Sequence, residues 1–301
     1  MGPVAERQAL PPWLKVKLPT GPNVARLKEA SRSRGLSTVC EEARCPNLAE
    51  CWGGGTATFM VMGDTCTRGC RFCSVATALR PAVPDEAEPQ KLAMTLKEMD
   101  VEYAVLTTVC RDDLPDQGAA HLAACIREVK KTCPDMKLEM LLQDFRGHQD
   151  LLEQVIDAGP DVVAHNVECV ERLTDKVRDA KAGYRQSLDV LAHAKNYAPT
   201  KPTKTSLMLG LGETEEELVQ AFKDIRAVGV DILTLGQYLR PSGSRHHLMV
   251  DKFIHPDDFQ RYGDMAKEHG FLYVASGPFV RSSYRAAELF MKGHLENTRG
   301  A

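Results

Sequence analysis

Six of the ten cysteines fall within 34 consecutive residues, in two triplets. Cys40, Cys45 and Cys51 are spaced C-x4-C-x5-C, and Cys66, Cys70 and Cys73 are spaced C-x3-C-x2-C. Structural zinc sites prefer four ligands arranged as two close pairs, whereas these are triplets with no histidine among them. Iron–sulfur cubanes are normally held by four thiolates. Two triplets therefore read as two clusters, each one protein thiolate short, with zinc as the alternative. A missing ligand leaves a metal position open to a substrate, a cofactor or a hard oxygen donor. The other four cysteines are scattered. Cys125 on an apolar helix face and Cys133 before a proline read as small hydrophobes in packing, while Cys110 and Cys169 fall near strand ends.

The rest of the composition narrows the class. With 38 basic and 41 acidic residues in 301, the formal charge is −3. That argues against a nucleic-acid binder working by bulk electrostatics. Hydrophobic residues make up 43% and charged residues 26%, which excludes a disordered chain. The longest apolar stretch, 59–62, is far too short to span a bilayer. The opening MGPVAERQALPPWL has no apolar signal core, and Glu6 stands where a myristoylation site needs Ser or Thr. The expectation is a cytoplasmic chain with reduced thiols, or an organellar one if a leader is removed.

The elements that must position the thiols follow from periodicity. Residues up to about 56 are rich in Pro and Gly, with one helix expected at 24–34. Strand-like runs then recur at 57–62, 103–109, 137–142, 161–167, 205–209, 231–235 and 271–275. Helical patterns separate them at 118–131, 149–158 and 184–197. Another starts at Thr214, which with Glu217 forms a capping box ahead of the apolar stripe Leu218, Phe222 and Ile225. This alternation predicts an α/β fold with a parallel sheet, either a full or partial (β/α) barrel or, as runner-up, a doubly wound open sheet.

Ligands in both architectures gather at the C-terminal ends of strands. Those ends carry the loop 66–73, then Thr107 and Thr108 with Arg111, Asp112 and Asp113, then Asp144 with Arg146. Asn166 and Glu168, the Gly210-Leu211-Gly212-Glu213 turn, and Gly236-Gln237-Tyr238 complete one functional rim. The GLGE turn lacks the spacing of a dinucleotide fingerprint, so no NAD site is expected. His246 and His247 are adjacent and read as a polar loop.

The string CTRGCRFC resembles the cluster loop of the radical SAM superfamily. It is preceded by VCEEARCPNLAECW and followed by RDDLPD, AHNVE, KTSLMLGLGET, LTLGQYLRPS and SGPFVRSSY. Taken together, the chain from Pro12 to about Tyr284 closely resembles the lipoyl synthase family. The resemblance implies a partial (β/α)6 TIM-type barrel over 57–270. An N-terminal extension at 1–56 and a C-terminal extension at 271–301 would together hold a second cluster.

The resemblance also implies the chemistry. Sulfur would be inserted at carbons six and eight of an octanoyl chain amide-linked to a lysine of a carrier protein. Such C–H bonds lie beyond acid–base catalysis, so a cofactor-borne radical is required. A 4Fe-4S cluster on Cys66, Cys70 and Cys73 would bind and cleave S-adenosyl-L-methionine. A second 4Fe-4S cluster on Cys40, Cys45 and Cys51, with Ser283 of the RSSY motif as its fourth ligand, would donate the sulfur. An alkoxide is harder than a thiolate and a poorer partner for iron–sulfur chemistry, which suits a cluster that must come apart. Arg281 would help hold that serine.

For the cofactor, Asn166 and Glu168 suit the ribose diol, Arg178 the carboxylate, and Gly210 and Gly212 a close backbone approach near adenine. Implied partners are octanoylated lipoyl carrier domains: the glycine cleavage H protein and the acyltransferase subunits of 2-oxoacid dehydrogenases. A ferredoxin- or flavodoxin-type reductant and an iron–sulfur carrier for cluster rebuilding complete the set, with no nucleic acid and no membrane. The chain departs from the family's usual residues at Cys110, Gln143 and Cys169, none of them a cluster ligand. Sulfur insertion into another substrate, as in biotin synthase, a two-cluster electron carrier and a zinc-stabilised binding module are the competing readings.

Overall fold

The computed structural model describes residues 8–15, 34, 36–38 and 56–283. Cys40, Cys45 and Cys51 lie outside these residues, as does the helix expected at 24–34 apart from Arg34. Strand β1 (Ser37–Thr38) pairs antiparallel with β2 (Thr56–Val61). A two-strand ladder of β3 (Thr65–Cys66) and β4 (Ala76–Thr77) then brackets the second cysteine triplet. Six βα units follow from β2 onward. Helix α1 (Glu88–Met99) leads to β5 (Tyr103–Thr108), and α2 (Ala119–Thr132) leads to β6 (Lys137–Leu141). Helix α3 (Gln149–Ile156) leads to β7 (Val162–Ala164), and the short α4 (Thr174–Val177) with α5 (Tyr184–Tyr197) leads to β8 (Thr203–Leu209). Helix α6 (Glu215–Ala227), β9 (Ile232–Gln237), α7 (Pro256–Glu268) and β10 (Tyr273–Gly277) close the described chain.

The main sheet runs β1-β2-β5-β6-β7-β8-β9-β10. All pairings from β2 to β10 are parallel. Spatial order follows chain order without reversal, which excludes the doubly wound alternative and leaves a singly wound barrel. Its two edges, β1 and β10, do not pair among the described residues, so the barrel is partial. β10 adds a seventh parallel strand beside β9, so the segment expected as a C-terminal extension from 271 begins with a strand of the main sheet.

Local chemistry explains the elements. The Thr214 hydroxyl accepts from the Glu217 N–H and the Glu217 carboxylate accepts from the Thr214 N–H, as the motif predicts. Leu218, Phe222 and Ile225 are buried on the sheet-facing side of α6. The periodicity did not single out α1 or α7. Each carries a proline in its first turn, where the missing N–H costs nothing.

Alternation along the strands separates two environments. Leu138, Met140, Leu207, Leu209, Leu233 and Leu235 pack outward against the helices. Tyr103, Val105, Val162 and Ile232 form a separate inner cluster. Beside it, Lys204 Nζ pairs with both oxygens of Glu139 at 2.9 and 2.8 Å, and Tyr103 Oη donates to Glu139 at 2.8 Å. This bulky layer plugs the N-terminal half of the barrel. Two residues further along β5, β7, β8 and β9, the same faces carry Thr107, Ala164, Ser206 and Thr234, and then Gly236 on β9, while β6 carries Leu141. The inward side chains thus shrink toward the rim, which leaves room for a ligand at the C-terminal mouth.

Candidate active site

The loop from Cys66 to Cys73 leaves β2 through the β3–β4 ladder and is pinned from several sides. The Thr67 N–H and hydroxyl both donate to the Cys110 carbonyl at 2.9 Å. The Gly69 N–H donates to Asp179 at 2.9 Å and the Arg71 N–H to the Val177 carbonyl at 2.9 Å. The Leu248 N–H donates back to the Arg71 carbonyl at 3.2 Å, and His247 Nε2 meets the Cys73 carbonyl at 2.9 Å.

At the centre of this anchoring lies Arg68. Its Nε and Nη2 donate to Asp112 at 2.9 and 2.8 Å, and its Nη1 and Nη2 donate to Asp144 at 2.7 and 2.8 Å. One buried guanidinium thereby joins the ends of β2, β5 and β6 through two bidentate pairs. Burial alone would raise the Asp112 carboxyl, but the Arg68 and Thr67 hydrogen bonds outweigh it and hold it down at about 2. Asp144 is held below the usual carboxylate range by the same balance.

The three thiols of the loop are half-buried and free of disulfides. Each receives a main-chain donor. Cys66 Sγ accepts from the N–H groups of Arg68 (3.4 Å) and Cys110 (3.3 Å), and Cys70 Sγ from Asp179 (3.4 Å). A backbone hydrogen bond from Val75 reaches Cys73. Amides aimed at sulfur favour the anionic form. The Cys110 thiol, with the two N–H groups, holds Cys66 down at about 6 against burial. That contact with Cys66, together with burial, pushes Cys110 well above the ordinary thiol range. Burial pushes Cys70 up to about 12 and Cys73 up to about 11, so thiolates there need a cation beside them. Three sulfurs on one loop, oriented by amides and short of positive charge, fit an iron–sulfur cluster.

The facing rim comes from the end of β7. The ladder expected through 167 stops at Ala164 because the chain bulges. The Val167 N–H turns to Thr205 Oγ1 at 3.1 Å, and Glu168 takes a left-handed φ of 74° before bridging to Leu207. Asn166 hydrogen-bonds the Glu168 carboxylate, but burial dominates and raises that group above the usual range.

Behind this stretch, Arg178 Nη1 donates to Ser187 Oγ at 2.7 Å and to the Val167 and Gly183 carbonyls at 3.3 and 3.4 Å. Ser187 Oγ meets His165 Nε2 at 2.9 Å, and His165 Nδ1 meets the Leu142 carbonyl at 2.9 Å. A carbonyl can only accept, so Nδ1 carries the proton and Nε2 accepts from Ser187. Arg178, expected to face a cofactor, is thus tied through one nitrogen to the fold itself.

Burial, then Arg178, pushes His165 down to about 4. Unfolded histidine titrates near ~6.5. Between those values the unfolded chain binds a proton that the folded chain refuses, so stability is complete above about pH 6.5 and falls as pH drops. Urea unfolding should show a loss approaching ~3 kcal/mol by about pH 4 from this group, and His165→Asn should flatten that slope.

Gly210 and Gly212 both have positive φ, 94° and 103°. A Cβ at Gly210 would lie 2.3 Å from both Gln237 Nε2 and the Lys252 carbonyl. The close backbone approach expected there is therefore made by this chain's own Gln237 and Lys252. The Gly210 and Leu211 N–H groups are held by the Glu213 carboxylate.

After β10, Ser283 lies in the turn that ends the described chain. The preceding segment crosses β9 closely: a Cβ on Gly236 would meet the Val280 carbonyl oxygen at 2.0 Å. Arg281 Nη1 donates to the Pro278 and Val280 carbonyls at 3.3 and 2.7 Å. Among the other thiols, Cys125 and Cys169 are buried in the two outer cores and Cys133 packs beside one of them. Cys110 is the one that joins the site. Sequence reasoning placed Asp112 and Asp144 on the rim without partners and missed Arg68, Asp179, His165 and Ser187. For Arg68 the signal was its place between two of the cysteines.

A partial parallel barrel with an open-handed thiol triplet at its mouth defines a radical SAM enzyme, and residues 60–225 match the profile of the Radical SAM superfamily. Residues 3–45, which include Cys40 and Cys45, match the N-terminal domain of lipoyl synthase of that family. Lipoyl synthase of Myxococcus xanthus (strain DK1622) is 56% identical over 296 residues, covering 98% of each chain. A mitochondrial lipoyl synthase of Culex quinquefasciatus is 53% identical, covering 98% of this chain and 79% of the relative. The crystal structure of methylornithine synthase shares the fold, with a TM-score of 0.55 at 12% identity over 84% of this chain and 77% of that one. The chain belongs to the lipoyl synthase family. It is a radical SAM sulfurtransferase whose cofactors are 4Fe-4S clusters, two in the family, and S-adenosyl-L-methionine.

Proposed function

We propose that this chain divides the sulfur insertion between two sets of its own residues, acting on an octanoyl chain carried by a lipoyl carrier domain. The observation that carries this reading is the triplet Cys66, Cys70 and Cys73, each thiol met by a main-chain donor, facing Asn166 and Glu168 across the mouth. When bound there, the cluster with S-adenosyl-L-methionine supplies a 5′-deoxyadenosyl radical, and the auxiliary cluster supplies sulfur.

The protein's part is to hold and orient. Cys66, Cys70 and Cys73 would hold the cluster, and the Arg68 pairs keep their loop against the strand ends. Asn166 and Glu168 bind the ribose hydroxyls, and the free nitrogens of Arg178 bind the carboxylate. Cys40, Cys45, Cys51 and Ser283 hold the auxiliary cluster. The small inward side chains above the Tyr103 layer leave space at the mouth for the acyl chain.

The carriers are the glycine cleavage H protein and 2-oxoacid dehydrogenase acyltransferase domains. A ferredoxin or flavodoxin delivers electrons, and an iron–sulfur carrier restores the consumed cluster. Among the described residues no helix is long and apolar enough to cross a membrane. We assign the chain to the cytoplasm or, as in the Culex relative's name, to mitochondria.

Paired substitutions test the division of labour. In reconstituted protein given an octanoyl-lysine peptide, S-adenosyl-L-methionine and a strong reductant, Cys40→Ala should still release 5′-deoxyadenosine but add no sulfur. Cys70→Ala should abolish both products. Mass spectrometry of peptide and nucleoside reads both, and a thiolated product from Cys40→Ala would overturn the assignment.

A further inference from the structure

A cavity of about 520 Å³ opens beside the cysteine loop, and the functional site makes no use of it. Four cations from three parts of the fold line it: Arg71 from the loop itself, Lys176 from α4, and Arg240 and Arg245 from the connection between β9 and α7. Asp251 is its single acidic residue. Elsewhere the chain pairs its cations, as in Arg68 with Asp112, Arg172 with Glu217, Arg185 with Glu171 and Arg261 with Glu215.

Among the described residues no carboxylate meets any of the four. Arg71 donates to the carbonyls of His246 (Nε, 3.1 Å) and Lys176 (Nη1, 3.5 Å), and Arg240 Nη2 to those of Ser244 (2.8 Å) and Gly243 (3.4 Å). Arg240 Nε is buried with no hydrogen-bond partner among the described residues. A charge of about +3 is thus concentrated on one face of a chain whose net charge is −3.

The four cations share the lining with the apolar Leu211, Leu248 and Val250, beside the exposed Met249. Cationic side chains beside apolar ones are the build of a protein-docking face. Arg71 lies between Cys70 and Phe72, so whatever docks here is brought to the mouth of the barrel. We propose that this face docks the acyl-carrier domain through carboxylates that flank its acylated lysine. The proposal rests on the carrier reaction above and adds to it the surface that selects a folded acidic carrier over a bare acyl-lysine.

The test uses the double variant Lys176→Glu/Arg245→Glu, two exposed changes outside the cysteine loop. Turnover is measured on an octanoylated carrier domain and on a short neutral octanoyl-lysine peptide, at low and high salt. Binding of the carrier to the loaded enzyme is read separately by fluorescence anisotropy. Reversing two rim charges should raise KM for the carrier, relative to the peptide, by about ten-fold. It should also weaken anisotropy binding and flatten its salt dependence. Equal KM ratios with unchanged binding would overturn the docking proposal. So would an equal loss of kcat on both substrates, which would assign the cavity to the catalytic centre. Failure of the unaltered enzyme to thiolate either substrate would instead overturn the proposed reaction, while the anisotropy comparison still decides the docking.

Discussion

Replacing Arg68 with Ala should unfold the mouth of the barrel. The substitution leaves Asp112 and Asp144 buried without the four Arg68 N–H donors, Asp112 keeping Thr67 Oγ1 at 2.9 Å and Lys181 Nζ at 3.3 Å and Asp144 the Arg146 N–H at 2.9 Å. Breaking a buried pair by removing one partner costs about 3–5 kcal/mol, because the remaining charge is left uncompensated. Here two carboxylates are left behind, Asp112 still beside Lys181 and Asp144 without a cation, so a cost within that range is expected. Lysine should not rescue it, since a single ammonium cannot supply two bidentate contacts.

The carboxylates also give this prediction a pH signature. Asp112 is held at about 2, below the ~3.9 of an unfolded aspartate. Its contribution is therefore complete above about pH 4 and is lost as pH falls through about 2. Arg68→Ala removes that contribution and shifts acid unfolding to higher pH. Circular dichroism across an acid titration, with iron content measured after reconstitution, checks both parts. Wild-type-like acid unfolding and full iron loading in the variant would show that the clamp is dispensable.

The second large effect is expected at Gly236→Ala. The new methyl would sit 2.0 Å from the Val280 carbonyl oxygen, a backbone atom that cannot rotate away. Either β9 or the segment 278–283 must shift, at a cost of about 1–3 kcal/mol. The strand is hydrogen-bonded on both sides, to β8 and to β10, so the terminal segment should yield. Ser283 moves with it. The expected enzyme retains 5′-deoxyadenosine release, loses half of its iron and adds no sulfur. Iron analysis and product mass spectrometry after anaerobic reconstitution read all three, and full iron content with normal thiolation would contradict the placement of this segment.

Much of this was open to reading in residue order alone. Apolar runs located all seven parallel strands of the main sheet, and the Thr214–Glu217 pair located the start of α6. The spacing of Cys66, Cys70 and Cys73 pointed to the loop chemistry. Features that escaped depend on partners far apart in the chain. Arg68 meets Asp112 and Asp144 across 44 and 76 residues, a relation no local pattern carries. The bulge after β7 depends on Thr205 offering its hydroxyl to a neighbouring strand. Gly210 looked like space for a ligand, and only the fold shows Gln237 and Lys252 against it. His165, Ser187 and Arg178 likewise form a relay only once α5 is laid on β7.

The anchoring of the loop 66–73 has a thermodynamic consequence. In a zinc finger the metal creates its own ligand geometry, and most of the binding energy is consumed in ordering the chain. Here guanidinium, carboxylates and main-chain amides already immobilise the ligands, so that conformational entropy is lost when the barrel folds. Iron loading then resembles filling a mould. The affinity of these thiols for a cluster is governed by desolvation and charge, and stripping the metal should leave the barrel standing.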